Sequence, residues 1–110
     1  SWRAIAARRG LGLSARRTYE AGAVPCAPAL VAGLEASVAR AGIAPRRLPS
    51  GAGHDGLAVA PLCPIAMLFV RCRGGISHNP AEAISEADAG AAARILLDFL
   101  CHFDSRETLA

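Results

Sequence analysis

Two glycine-rich turns bracket the most apolar run of the chain, and this limits the possible folds more than any other feature. The first turn is Leu48-Pro49-Ser50-Gly51-Ala52-Gly53-His54-Asp55-Gly56 and the second is Gly74-Gly75-Ile76-Ser77-His78-Asn79-Pro80. Between them lies Ile65-Ala66-Met67-Leu68-Phe69-Val70-Arg71-Cys72, apolar at six consecutive positions. A strand sends alternate side chains to opposite faces, so a run apolar on both predicts a central strand covered on both sides. Glycine turns the chain where a Cβ would collide, so each histidine is expected to stand clear of the fold and face a cleft.

The remaining pattern alternates between helical and extended spacing. Trp2, Ile5 and Ala6 are spaced as on a helix, which Gly10 should stop. Leu11, Leu13 and Ala15 alternate with smaller or polar residues up to Tyr19, predicting a half-buried strand over residues 11–19. Gly22, Pro25 and Pro28 make residues 21–28 a linker, and Pro28 then suits the first turn of a helix bearing Leu30, Val31, Leu34, Val38 and Ala41. Gly42 should end that helix.

An extended piece at residues 43–48 leads to the first glycine turn, and a brief helix is expected from Asp55 to Ala60 before Pro61. Ser85-Glu86-Ala87-Asp88 approximates a capping box, and Ala92, Ile95, Leu96, Phe99, Leu100 and Phe103 form one stripe behind it. The order of elements predicts an α/β fold, with both histidines on loops at strand ends.

Composition excludes several classes. An apolar fraction of 53% is too high for a disordered chain, although much of it is alanine. The net charge of +3 rests on twelve arginines without lysine, scattered along the chain rather than gathered in one stripe. With aromatics at only 5%, neither a stacking platform nor a basic face for nucleic acid is expected. Arg71 and Arg73 interrupt the strongest apolar run well short of the ~18 residues a membrane span needs. Cys26, Cys63, Cys72 and Cys101 form no C-x-x-C pair and follow no secretory leader, so buried, reduced thiols in a cytoplasmic protein are expected. The opening Ser1-Trp2, without methionine and already helical in spacing, is the mark expected of a fragment.

Ser50-Gly51-Ala52-Gly53-His54-Asp55, then Met67-Leu68-Phe69-Val70, then Gly75-Ile76-Ser77-His78-Asn79-Pro80 together resemble the C-terminal end of the metal-dependent amidohydrolases acting on carbamoyl compounds. That family includes allantoate amidohydrolase, N-carbamoyl-L-amino-acid hydrolase and β-ureidopropionase. The resemblance implies the C-terminal part of a zinc-peptidase-like catalytic domain over residues 21–110, preceded by the end of a lid, or dimerisation, domain over residues 1–20. It also implies a site for two Zn2+ or Mn2+ ions, a small ureido substrate, a role in purine catabolism, and a homodimer. The run from Met67 to Pro80 looks closest to the allantoate branch. The other two enzymes, and a truncated inactive remnant, are the alternatives.

On this resemblance His78 is the metal ligand, since the histidine of its motif is the family's final ligand. His54 is the catalytic residue that touches substrate and stabilises the oxyanion, and Gly53 approaches the substrate by its backbone. Asp55 is expected to orient His54 or start the short helix, Asn79-Pro80 to hold the second turn open, and Glu82 to be a solvated carboxylate, with support of the His78 ligand as its other reading. His102 reads as a charge suited to a helix C-terminus, and Arg71 and Arg73 as surface charge beside a sheet edge or as groups that meet an anionic substrate. Gly56 stands where the family more often has alanine, which should loosen the helix start by about 1 kcal/mol at most. A catalytic zinc needs about three protein ligands, so these 110 residues alone are expected to be inactive.

Overall fold

Pro28 has no N–H to lose and a φ already set for a helix, and the chain's central helix begins at that residue. The computed structural model describes residues 1–20 and 22–105. It contains helix α1 (Trp2–Arg8), α2 (Pro28–Arg40), α3 (Gly56–Val59) and α4 (Glu86–His102), with a 3₁₀ turn at Arg73–Gly75. The expected boundary at Ala21, and residues 106–110, lie outside the described residues.

The helix ends follow the sequence. Gly10 (φ 64) and Gly42 (φ 74) take the left-handed conformation that lets orphan carbonyls find donors. After α2, the N–H of Gly42 reaches the carbonyl of Ala39 at 2.9 Å and that of Ile43 reaches Val38 at 3.2 Å, and α1 closes the same way. Ser85 caps α4 by accepting the Asp88 N–H at 3.1 Å. The expected capping box is half made, because the Asp88 carboxylate accepts the Ser85 hydroxyl at 2.6 Å.

The core sits where α2 meets α4. Leu30, Leu34 and Ile95 are buried there, and Ser37 is buried with them at 1% exposure. Ser37 is satisfied because its Oγ accepts from Arg40 Nη2 at 3.0 Å. Arg40 also donates from Nε (2.9 Å) and Nη2 (2.6 Å) to Asp98 Oδ2, tying the helices together at their solvent edge. A second forked pair, from Arg47 to both Glu35 oxygens at 2.6 and 2.7 Å, holds residues 43–48 against α2.

The strands expected at residues 11–19, 43–48 and 65–72 are not formed: among the described residues there is no β-strand, and these segments lack regular structure. A strand needs a neighbour to complete its ladder of N–H and C=O groups, and apolar composition alone does not provide one. The central run is anchored near its ends by single bonds, Ala27 N–H to Ile65 O and Arg73 N–H to Ala83 O, both at 2.8 Å. Phe69 and Val70 are therefore exposed instead of sandwiched.

The radius of gyration is 19.5 Å, against about 13 Å for a compact domain of about 100 residues. Leu96, Leu97 and Leu100 on α4 remain exposed. The cysteines are also corrected: Cys26 and Cys72 are half-buried, Cys63 and Cys101 exposed, and all four are free thiols. Cys63 lies in the turn after α3, and Cys101 in the last turn of α4. No helix among the described residues is long and apolar enough to cross a membrane.

Candidate functional site

The first glycine turn is built by a hydroxyl rather than by left-handed glycine. Ser50 Oγ–H donates to the carbonyl of Ala52 at 3.0 Å, and Gly51 and Gly53 both keep negative or extended φ. α3 then starts at once, with the His54 carbonyl accepting from Leu57 N–H (3.0 Å) and that of Asp55 from Ala58 (2.9 Å) and Val59 (3.2 Å). Asp55 occupies the N-cap position, but its carboxylate makes no capping bond. Of its two expected roles, starting the helix is the one its main chain performs.

His54 is half-buried, and its ring lies over Gly56. A Cβ added at Gly56 would stand 2.8 Å from Nδ1 and 2.9 Å from Cε1 of that ring, inside the contact distance real Cβ atoms keep. Glycine at residue 56 therefore leaves the space that the imidazole edge occupies. His54 and Gly53 line an open cavity of about 540 Å³, whose wall also includes Tyr19, Val24, Asp55 and Leu57. The sequence reading missed Tyr19, Val24 and Leu57, since only the path of the chain brings residues 19–24 alongside the first turn.

The second turn uses left-handed backbone at its two glycines, Gly74 at φ 62 and Gly75 at φ 69. His78 at φ 57 is the one non-glycine residue with positive φ among those described, a conformation that tends to occur where a loop is held for function. Two contacts hold it and a third braces the loop behind it. Its N–H donates to Glu82 Oε2 at 2.8 Å, its Nδ1 lies 2.7 Å from Ser77 Oγ, and Asn79 Oδ1 accepts from Ala81 N–H at 2.9 Å.

Glu82 is therefore a clamp on the histidine's main chain rather than only a solvated carboxylate. The four-residue spacing from His78 to Glu82 was the available signal. Arg71, read as surface charge, pairs with Asp88 at 2.7 Å. The Ser85 hydroxyl first, and then Arg71, hold the Asp88 carboxyl below its ordinary range.

The His78 ring is exposed and does not line the cavity beside His54, so the structure does not bring the two histidines into one cleft. Among the described residues no three His, Cys, Asp or Glu side chains gather as a metal centre. His78 can serve as one ligand, whereas a catalytic zinc takes about three from protein. His102 Nδ1–H donates to the Asp98 carbonyl at 2.8 Å, at the last turn of α4 as expected.

Comparison with known proteins places both turns within one family. The chain is 39% identical to an N-carbamoyl-L-amino acid amidohydrolase of Geobacillus stearothermophilus over 102 residues, 86% of this chain and 25% of that protein. It is 43% identical to the allantoate deiminase of Arabidopsis thaliana over 104 residues, 87% of this chain and 20% of the relative. Allantoate deiminase 2 of Glycine max matches at 55% over 53 residues, 48% of this chain and 11% of that enzyme. The chain thus spans a quarter or less of the length of these relatives. The peptidase M20/M25/M40 family, which is generally metal-dependent, matches residues 13–102, a span that includes Gly53, His54 and His78, and to that family this chain belongs.

Proposed function

We propose that this chain forms part of a metal-dependent amidohydrolase that cleaves a ureido or carbamoyl C–N bond, with allantoate as the favoured substrate. The observation that carries this reading is the family match over residues 13–102, a span that takes in both histidine turns. Relatives named for allantoate and for N-carbamoyl amino acids support the substrate class. The second name keeps N-carbamoyl-L-amino-acid hydrolysis as the neighbouring reading, with β-ureidopropionase beside it.

On this reading His78 is one ligand of a Zn2+ or Mn2+ site of two ions, and groups beyond these residues complete it. Ser77 Oγ, 2.7 Å from Nδ1, would accept a hydrogen bond from Nδ1–H and leave the Nε2 lone pair free for the ion. Bound divalent ions supply an activated water and a polarised carbonyl. His54, at the cavity wall, donates a hydrogen bond to the oxyanion as it forms, and the open backbone at Gly53 admits the substrate. The chain would lie over two regions, a lid end at residues 1–20 and catalytic-domain sequence at 21–110. In the assembled enzyme the apolar run 65–72 gains strand neighbours in an α/β sheet, and the protein is a cytoplasmic homodimer.

The test is a panel of allantoate, N-carbamoyl amino acids and β-ureidopropionate, assayed on the assembled enzyme with and without chelator. Hydrolysis lost on chelation and restored by zinc or manganese is expected, with His54→Ala lowering kcat by about 10²- to 10³-fold. Hydrolysis of none of these substrates, or full activity in chelator, overturns the reading. The isolated 110 residues with added zinc or manganese are expected to show no turnover.

A further inference from the structure

His78 holds a backbone conformation that its own side chain disfavours. Positive φ crowds a Cβ against the neighbouring carbonyl, so Gly74 and Gly75 take it freely, whereas a histidine at φ 57 keeps it only where other contacts compensate. The compensating contact comes from four residues ahead, where Glu82 Oε2 accepts the His78 N–H at 2.8 Å. The carboxylate that makes this bond is itself fixed. Glu82 N–H donates to the Asn79 carbonyl at 2.8 Å, Ala81 N–H to Asn79 Oδ1 at 2.9 Å, and Arg73 N–H to the Ala83 carbonyl at 2.8 Å, which ties the two ends of segment 73–83 together. Ser77 holds the ring of His78, and Glu82 holds the main chain from which that ring projects.

We infer that Glu82 is a positioning residue for metal binding: by accepting the His78 N–H it keeps that residue left-handed, and the left-handed backbone sets the direction in which the imidazole leaves the loop. The inference rests on the reading of His78 as a metal ligand. A change of φ from positive to negative swings the Cα–Cβ bond about the N–Cα axis. Without Glu82, residue 78 therefore relaxes to the backbone that side chains prefer, and Nε2 turns away from the ion's place. The carboxylate acts here through a main-chain bond, so the position of its acceptor oxygen matters more than its charge. Glutamine, of the same length and with one carbonyl oxygen, can make the same bond.

The experiment takes the assembled enzyme with Glu82→Ala, Glu82→Gln or Glu82→Asp and measures zinc affinity by competition with a chromogenic chelator. Crystal structures of the metal-free variants give φ at residue 78. Glu82→Ala should weaken zinc binding about tenfold and bring φ at residue 78 to a negative value. Glu82→Asp, which keeps the charge but draws the acceptor back by one methylene, should lose affinity to the same degree. Glu82→Gln should stay within about threefold of wild type with φ positive, since a neutral acceptor makes a weaker bond of the same geometry. A positive φ or wild-type affinity in Glu82→Ala overturns the inference, and so does affinity that follows charge, kept by Glu82→Asp and lost by Glu82→Gln. His78→Ala separates this failure from that of the reading beneath it. Wild-type affinity in His78→Ala means that His78 is no ligand and both fall; weakened binding there, with none in Glu82→Ala, removes the inference alone.

Discussion

Gly33 on α2 and Phe99 on α4 meet so closely that a Cβ at residue 33 would stand 2.9 Å from Cε2 of the ring and 3.3 Å from Cδ2. The ring of Phe99 lies where a side chain on α2 would otherwise be, which lets the two helices approach over Leu34 and Ile95. Phe103 packs beside it, with ring centroids 5.7 Å apart and planes tilted by 43°.

Gly33→Ala should therefore destabilise the helix pair despite improving helix propensity. Alanine gains about 1 kcal/mol in an α-helix, whereas forcing a methyl into a filled contact costs about 1–3 kcal/mol. A net loss is expected, larger for Gly33→Val. Urea unfolding followed by helical circular dichroism measures it, and a midpoint equal to or above wild type contradicts it.

Acid should loosen the same contact. Hydrogen bonds from Arg40 first, and then from Ser37, hold the Asp98 carboxyl below its ordinary range in the folded chain. A depressed carboxylate contributes stability that is complete above the unfolded pKa of about 3.9 and is lost as pH falls through the folded value. Stability should thus decline below about pH 4, and Asp98→Asn should flatten that part of the profile. Thermal melts between neutral and acid pH give the comparison, in which an unchanged acid slope for Asp98→Asn counts against the link.

Ser85→Ala removes the cap of α4 and the hydroxyl that holds Asp88. A loss of about 1 kcal/mol is expected. Ser85→Thr should retain most of the stability. Equal loss in both variants, read from unfolding midpoints, argues that the cap bond at 3.1 Å contributes nothing.

Metal affinity should depend on the contacts that hold His78 as well as on His78 itself. Ser77→Ala, which frees Nδ1, is expected to weaken zinc binding by the assembled enzyme about 10- to 100-fold. His78→Ala should weaken it further. Competition with a chromogenic chelator reports both, and affinity unchanged in His78→Ala removes this residue from the ligand set.

Several features could be read from local sequence because their causes are local. Gly10 and Gly42 stop helices by taking the left-handed conformation, Pro28 starts one, and Ser85 caps one, each through atoms within a few residues. The second glycine turn and its Asn79 bond belong to this class. Strands do not. Residues 65–72 have the composition of a central strand, but pairing is a property of two segments, and among the described residues no neighbour completes a ladder.

Helix boundaries, the turn that carries His78 and membership of the family were all legible in the order of residues, since they depend on short-range backbone chemistry and residue pattern. It took the folded chain to show that Ser37, Leu30, Leu34 and Ile95 form the buried core and that Tyr19 and Val24 join His54 at one cavity. The imidazole resting on Gly56 and the phenyl ring on Gly33 belong with them. These depend on where separate segments meet in space, and excluded volume at a glycine becomes visible only when the group that fills it is in place.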